Sequence, residues 1–163
     1  MGRVVHPEHT RTEMTWIVMP GHCNALGTAF GGQIMAWIDV CAAISAQRFC
    51  QGTVVTASMD SLVFEAPVSQ GDVVMLQAQV NWAGRTSMEA GVKVEVEDTA
   101  TGSRRTTSRA YLTFVQVDAE GRPQPVPELL PRTDTDRRRH ANAAMRREQR
   151  LTLRDALRAR GRG

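Results

Sequence analysis

One carboxylate, Asp39, stands in the middle of a nearly all-apolar run at residues 33–48, and it is the side chain in this sequence best set up to do chemistry. Laid out at helical spacing, the run has two faces. One is bulky: Ile34, Trp37, Ile38, Cys41 and Ile44. The other follows Gly32, Ala36, Asp39, Ala43 and Ala46, a seam of small side chains with the acid at its centre. Small neighbours leave room for something else to approach Asp39: a partner backbone, a second subunit or a ligand. A helix apolar on nearly every side is normally buried, and burying an ionised carboxylate without partners is costly. Two readings follow. Asp39 is a core acid that caps or pairs with a hidden Arg, or it is a catalytic carboxylate in a narrow, partly dry cleft.

The elements around it must position it. Residues 20–32 form a loop rich in Gly and small residues that feeds the helix, and Gln51-Gly52 ends it. Before the loop, residues 11–19 alternate around Met14, Trp16 and Val18 and predict a strand stopped by Pro20-Gly21. After the helix, residues 53–67 predict a long β-branched strand with an irregularity near Asp60-Ser61. Val74, Leu76, Ala78, Val80 and Trp82 predict the buried face of the next strand. Met88, Ala90, Val92, Val94 and Val96 do the same for the strand after the Ala83-Gly84 reversal, and Ala110, Leu112 and Phe114 for the last strand at 103–117. The expected architecture is α+β: an antiparallel meander wound against one long apolar helix, with an edge strand or helix face left to pair with a second copy. Residues 1–10 read as a loose arm, 11–118 as the folded domain, and 119–163 as a Pro-containing connector followed by a basic helical tail.

Composition narrows the class. The chain has 163 residues, 42% hydrophobic and 23% charged, as expected of one ordinary globular domain. No apolar run resembles a signal sequence or a membrane span, and the three cysteines have no metal-type spacing, so reduced core thiols, no metal and a cytoplasmic location are expected. Lys93 is the only lysine; arginine dominates, and the tail from residue 131 carries about +7 of charge, leaving the body about −4. Such a tail can meet nucleic acid, a phosphate-bearing ligand or nothing. It has no aromatic residue for base stacking, so nucleic acid is not expected, and a solvated helix is the favoured reading.

At this point five strings carry a resemblance: Asn24, Gly27, Phe30, Gly31, Gly32, Ile38 and Asp39 in the loop and helix; VVTASMD at 54–60 with Phe64; GDVV at 71–74; GRTSME at 84–89; and LTFV at 112–115. In this order they resemble the hotdog-fold acyl-CoA thioesterases, in particular the acyl-CoA hydrolase branch of brain-type and bacterial broad-range enzymes, over roughly residues 11–118. The resemblance implies a sheet wrapped around a central helix, two chains paired edge to edge with a cleft at each interface, and often a trimer of dimers, a homohexamer. It implies hydrolysis of fatty acyl-CoA to fatty acid and coenzyme A without a cofactor. It assigns function to Asn24 and Asp39 from opposite subunits.

Thioester hydrolysis needs an activated water and a stabilised oxyanion. Asp39 is then the general base, or else a nucleophile forming a mixed anhydride; the sequence does not separate the two. Asn24 positions the water or the thioester, and Gly32, with Phe30 and Gly31, lets substrate approach a free N–H at the helix N-terminus. Thr56 and Ser58 on one strand face, and Arg85, Thr86 and Ser87 after a tight turn, are candidate contacts for coenzyme A. His22 receives no role. The alternatives are a non-catalytic acyl-CoA binder and a hotdog hydratase; the latter resembles a His-with-acid arrangement, and no His lies on this helix.

Overall fold

The computed structural model describes residues 2–160; Met1 of the arm and residues 161–163 of the tail lie outside the described residues. Its elements run β1 (Val4–Val5), β2 (Thr12–Ile17), α1 (Gly31–Cys50), β3 (Val54–Phe64), β4 (Val73–Ala83), β5 (Ser87–Glu97), β6 (Arg104–Gln116), β7 (Glu128–Leu129) and α2 (Asp134–Arg160). Five strands form one sheet in the order β2-β4-β5-β6-β3, each antiparallel to its neighbours. This is the expected α+β arrangement. The helix lies on the inner face, where Ile34, Trp37, Ile38, Cys41, Ala42, Ala46 and Phe49 pack against Leu76, Val80, Met88, Val94, Leu112 and Phe114. The strand alternation at 88–96 and 110–114 is as expected, because each inward position is apolar and buried.

Four expectations are corrected. The N-terminal arm is not loose: β1 pairs in parallel with β7, and Thr10, fully buried, accepts a bond from the Val80 N–H at 2.9 Å. Trp82 does not share a face with Val80. A register shift between them inserts Asn81, so Trp82 pairs with outward Glu89 and lies under α2, with the Arg147 guanidinium 5.0 Å from its ring centroid. Thr56 and Ser58 do not share a face either. Ala57 is an extra residue in β3, so Thr56 faces inward opposite Phe114 while Ser58 faces outward opposite Thr113. A second shift around Asp60, where irregularity was expected, restores the alternation.

The tail is not a solvated helix. From Asp134, α2 lies across the outer face of the sheet, and charged pairs fasten it there. Arg146 donates two bonds to Glu89, at 3.0 and 2.7 Å, and stacks 3.6 Å from the Tyr111 ring centroid. Arg150 bonds Asp60, Thr113 and Ser58. Asp136, buried, caps the helix start through the Thr133 N–H at 3.1 Å and accepts from Gln79 at 3.3 Å. Burial alone raises the pKa of both Asp60 and Asp136, but the bonds they accept outweigh it and hold both carboxyls below the ordinary carboxylate value.

Candidate active site

The seam around Asp39 is open on its outer side. Gly32, Ala36, Met35 and Val40 are exposed, Asp39 and Ala43 are half-buried, and only Ala46 turns fully under the sheet. Within this chain the one hydrogen-bond partner of Asp39 among the described residues is Thr56, whose Oγ1 donates to Oδ1 at 2.7 Å. No arginine among the described residues reaches it, so within them Asp39 is not a core acid paired with a hidden guanidinium. The second carboxylate oxygen is left for another group. Thr56 thus touches the acid itself, a pairing that no local spacing announces because it joins α1 to β3 across 17 positions.

At the other end of the helix, Phe30 is the N-cap and makes no side-chain cap bond. The first helical bonds start from Gln33 and Ile34, both to the Phe30 carbonyl, so the Gly31 and Gly32 N–H groups have no partner among the described residues. A Cβ on Gly31 would stand 3.3 Å from Phe64 Cζ, whereas one on Gly32 would meet nothing within 4 Å. Gly32 is therefore the open end of the helix dipole. Asn24 Oδ1 accepts from the Leu26 N–H at 2.9 Å, the Thr28 N–H at 3.3 Å and the Thr28 hydroxyl at 3.2 Å. These bonds fix the carboxamide and leave its Nδ2 without an acceptor among the described residues. His22 accepts from the Met19 N–H and stands edge-on to Trp37, which gives it a structural contact.

These residues do not all meet within one chain. Asp39 lies eight residues beyond Gly31, about 12 Å along the helix axis. Register tells the same story. Thr56 is level with Phe114 and Met88, next to Ser87 of the β4–β5 turn, whereas Phe64 at the other end of β3 packs on Gly31. One chain therefore carries Asp39, Thr56 and the Arg85–Thr86–Ser87 turn at one end of the sheet, and Asn24 with Gly31 and Gly32 at the other. Ser58 belongs to neither set; its hydroxyl donates to Asp60 on the outer face. Cys41, behind the acid, is no competing nucleophile: burial pushes its thiol up to about 11.

β3 is an edge strand with Val55, Val63 and Phe64 about half exposed, so its outer edge offers unpaired backbone groups beside apolar side chains. No helix of the described residues is long and apolar enough to cross a membrane.

Residues 26–103 match the thioesterase superfamily. YkhA of Bacillus subtilis, described as an uncharacterized acyl-CoA thioester hydrolase, is 44% identical over 133 residues, which span 82% of this chain and 77% of that protein. The acyl-CoA hydrolase of Staphylococcus aureus, solved with butyryl coenzyme A, coenzyme A and coenzyme A disulfide, superposes with a TM-score of 0.90 at 34% identity over 96% of each chain. That enzyme has also been solved with an Asn, an Asp and a Thr each changed to Ala. An apo-hexameric acyl-CoA thioesterase superposes with a TM-score of 0.89 at 40% identity, over 93% of this chain and 97% of its own.

Proposed function

The chain belongs to the thioesterase superfamily, among its acyl-CoA thioester hydrolases, and on that premise we propose how its residues cleave an acyl-CoA. Two copies pair through β3, antiparallel, so that the Asn24–Gly32 end of one meets the Asp39–Thr56 end of the other. Asp39 is the general base. Thr56 occupies Oδ1 and so orients the carboxylate, leaving Oδ2 to take a proton from water. The water oxygen bonds to the thioester carbon, and the carbonyl oxygen gains the negative charge. The N–H of Gly32 from the paired copy, at its helix N-terminus, and the Nδ2 of Asn24 from that copy hold this oxyanion. Collapse breaks the C–S bond; the thiolate of coenzyme A takes the proton back from Asp39, and the fatty acid leaves.

The observation that carries this reading is the bond from Thr56 to a half-buried Asp39 that has no cationic partner, on the open side of α1. The spacing of the three residues altered in the Staphylococcus aureus enzyme, which equals that of Asn24, Asp39 and Thr56 here, supports it independently. Phe30 and Gly31 line the approach to Gly32, and Arg85, Thr86 and Ser87 are offered to the coenzyme A phosphates; Arg85 is exposed and has no side-chain partner among the described residues. Pairs of this kind assembling into a trimer of dimers accord with the hexameric relative. A cytoplasmic enzyme of fatty acyl-CoA turnover accords with three cysteines that are all free. Thiol release measured across short, medium and long acyl-CoA esters tests the proposal: Asp39→Asn should lower kcat by about a hundredfold or more. Rates unchanged by that substitution, or at background for every ester in the unaltered protein, would refute it.

A further inference from the structure

Between α2 and the outer face of the sheet lies a cavity of about 610 Å³, on the side of the sheet opposite Asp39. Its walls carry Arg11, Lys93, Arg109, Arg138, Arg139 and Arg146, against a single lining carboxylate, Glu13. Glu13 accepts from Gln77 rather than from any of these cations.

One arrangement in this cavity is unfavourable as it stands. Arg11 and Arg139, from β2's approach and from α2, both donate to the same neutral oxygen, Gln79 Oε1, at 3.0 and 3.2 Å. Two guanidinium nitrogens therefore sit no more than about 6 Å apart with no anion between them. Lys93 and Arg109 are direct cross-strand partners on β5 and β6, and each is answered by an acid of its own. Their acids, Glu95 at 2.8 Å and Glu65 at 2.7 Å, are not among the residues lining the cavity. Arg138 has no partner among the described residues. Arg146 is matched by Glu89 as Lys93 and Arg109 are by their own acids, which leaves Arg11, Arg138 and Arg139 without a carboxylate among the described residues. The carboxamides of Gln77, Asn81 and Asn142 complete the lining with neutral hydrogen-bonding groups.

We propose that this cavity is a second ligand site, which binds a small oligophosphate anion between α2 and the sheet. Cations on three separate walls suit a ligand with charge at more than one centre, and guanidiniums hold phosphate oxygens in pairs. The phosphates can be those of a free oligophosphate or of a larger phosphate ester such as coenzyme A. The site does not depend on the role given to Asp39, because the sheet separates the two.

Titration calorimetry with inorganic pyrophosphate tests it, on the unaltered protein and on the Arg138→Gln and Arg138→Gln/Arg139→Gln variants. One saturable site per chain is expected, weakening about tenfold for each guanidinium removed and weakening further with added salt. Hydrolysis rate and melting temperature without pyrophosphate report that the variants fold; Arg138→Gln serves alone if the double variant does not, since Arg138 supports nothing around it. Free coenzyme A titrated against the pyrophosphate complex identifies the source: displacement assigns the phosphates to coenzyme A, persistence to a separate small anion. Absence of saturable binding, or binding of equal strength in the folded variants, overturns the proposal.

Discussion

If each reaction centre takes Asp39 from one copy and Asn24 from the other, two dead proteins must make a live one. Consider Asn24→Ala and Asp39→Ala chains, each inactive alone, mixed in equal amounts unfolded and refolded together. In the mixed pair, one cleft receives both substitutions and the other receives neither. Half of the pairs are mixed and one of their two clefts is whole, so about a quarter of all clefts regain both residues. The separation behind this number is geometric: the unbonded Gly32 N–H and the backbone of Asp39 stand seven residues, about 10 Å, apart along one helix, too far for both to serve one thioester carbonyl. The assay is thiol release from a medium-chain acyl-CoA, normalised to unaltered protein refolded the same way. Recovery near a quarter is expected. Activity no higher than that of either parent, in a mixture shown by mass spectrometry of the intact pair to contain hybrids, would sink the shared-cleft argument.

Three further outcomes follow from the same geometry. Thr56→Val removes one hydrogen bond to a carboxylate without changing side-chain volume, about 1.4 kcal/mol, so kcat/KM should fall about tenfold and Thr56→Ser should recover most of it; equal rates for Val and Ser would contradict a hydrogen-bonding role. Arg146→Met leaves Glu89, whose side chain is 5% exposed, without its partner, and urea unfolding should register a loss of about 3 kcal/mol; a loss below about 1 kcal/mol would show the pair to be ornamental. Asp60 and Asp136 have folded-state pKa values below the ordinary carboxylate value, so the stability they contribute is whole above about pH 4 and is lost as pH falls further through their folded values. Hydrogen exchange of α2 amides should therefore accelerate below about pH 4 before that of β5 does; simultaneous loss of protection would count against it.

The inner half of the molecule was readable because its code is simple. Met88 to Val96 and Ala110 to Phe114 alternate without interruption, and each inward position is apolar and buried. Asp39 stood out for the opposite reason, a charge where the pattern calls for a methyl. What escaped reading depended on single surplus residues and on charge. Asn81 and Ala57 break the two-residue period with no signal in the local pattern, so strict alternation puts Trp82 with the inward residues and Thr56 and Ser58 on one face, which the bulged strands do not. Glu89 and Asp60 occupy outward positions, which a sequence reads as wet. Their partners Arg146 and Arg150 lie 57 and 90 positions further on, in a helix whose own apolar pattern is weak. No local rule links such residues, so a packed helix looked like a solvated one. The Arg11–Gln79–Arg139 junction joins three segments in the same way.

The two surplus residues of β3 have an effect of their own. Were Ala57 an ordinary ladder residue rather than a surplus one, the hydroxyls of Thr56 and Ser58 would emerge from the same surface, and one strand could serve either the carboxylate beneath it or the arginine above it. With the insertion, neighbouring hydroxyls work on opposite sides of a layer one strand thick, and the second insertion, at Asp60, returns the rest of the strand to its former phase. The tether that holds the C-terminal helix and the contact that aims the acid are therefore neighbours along the backbone, so a shift of this short segment reaches both.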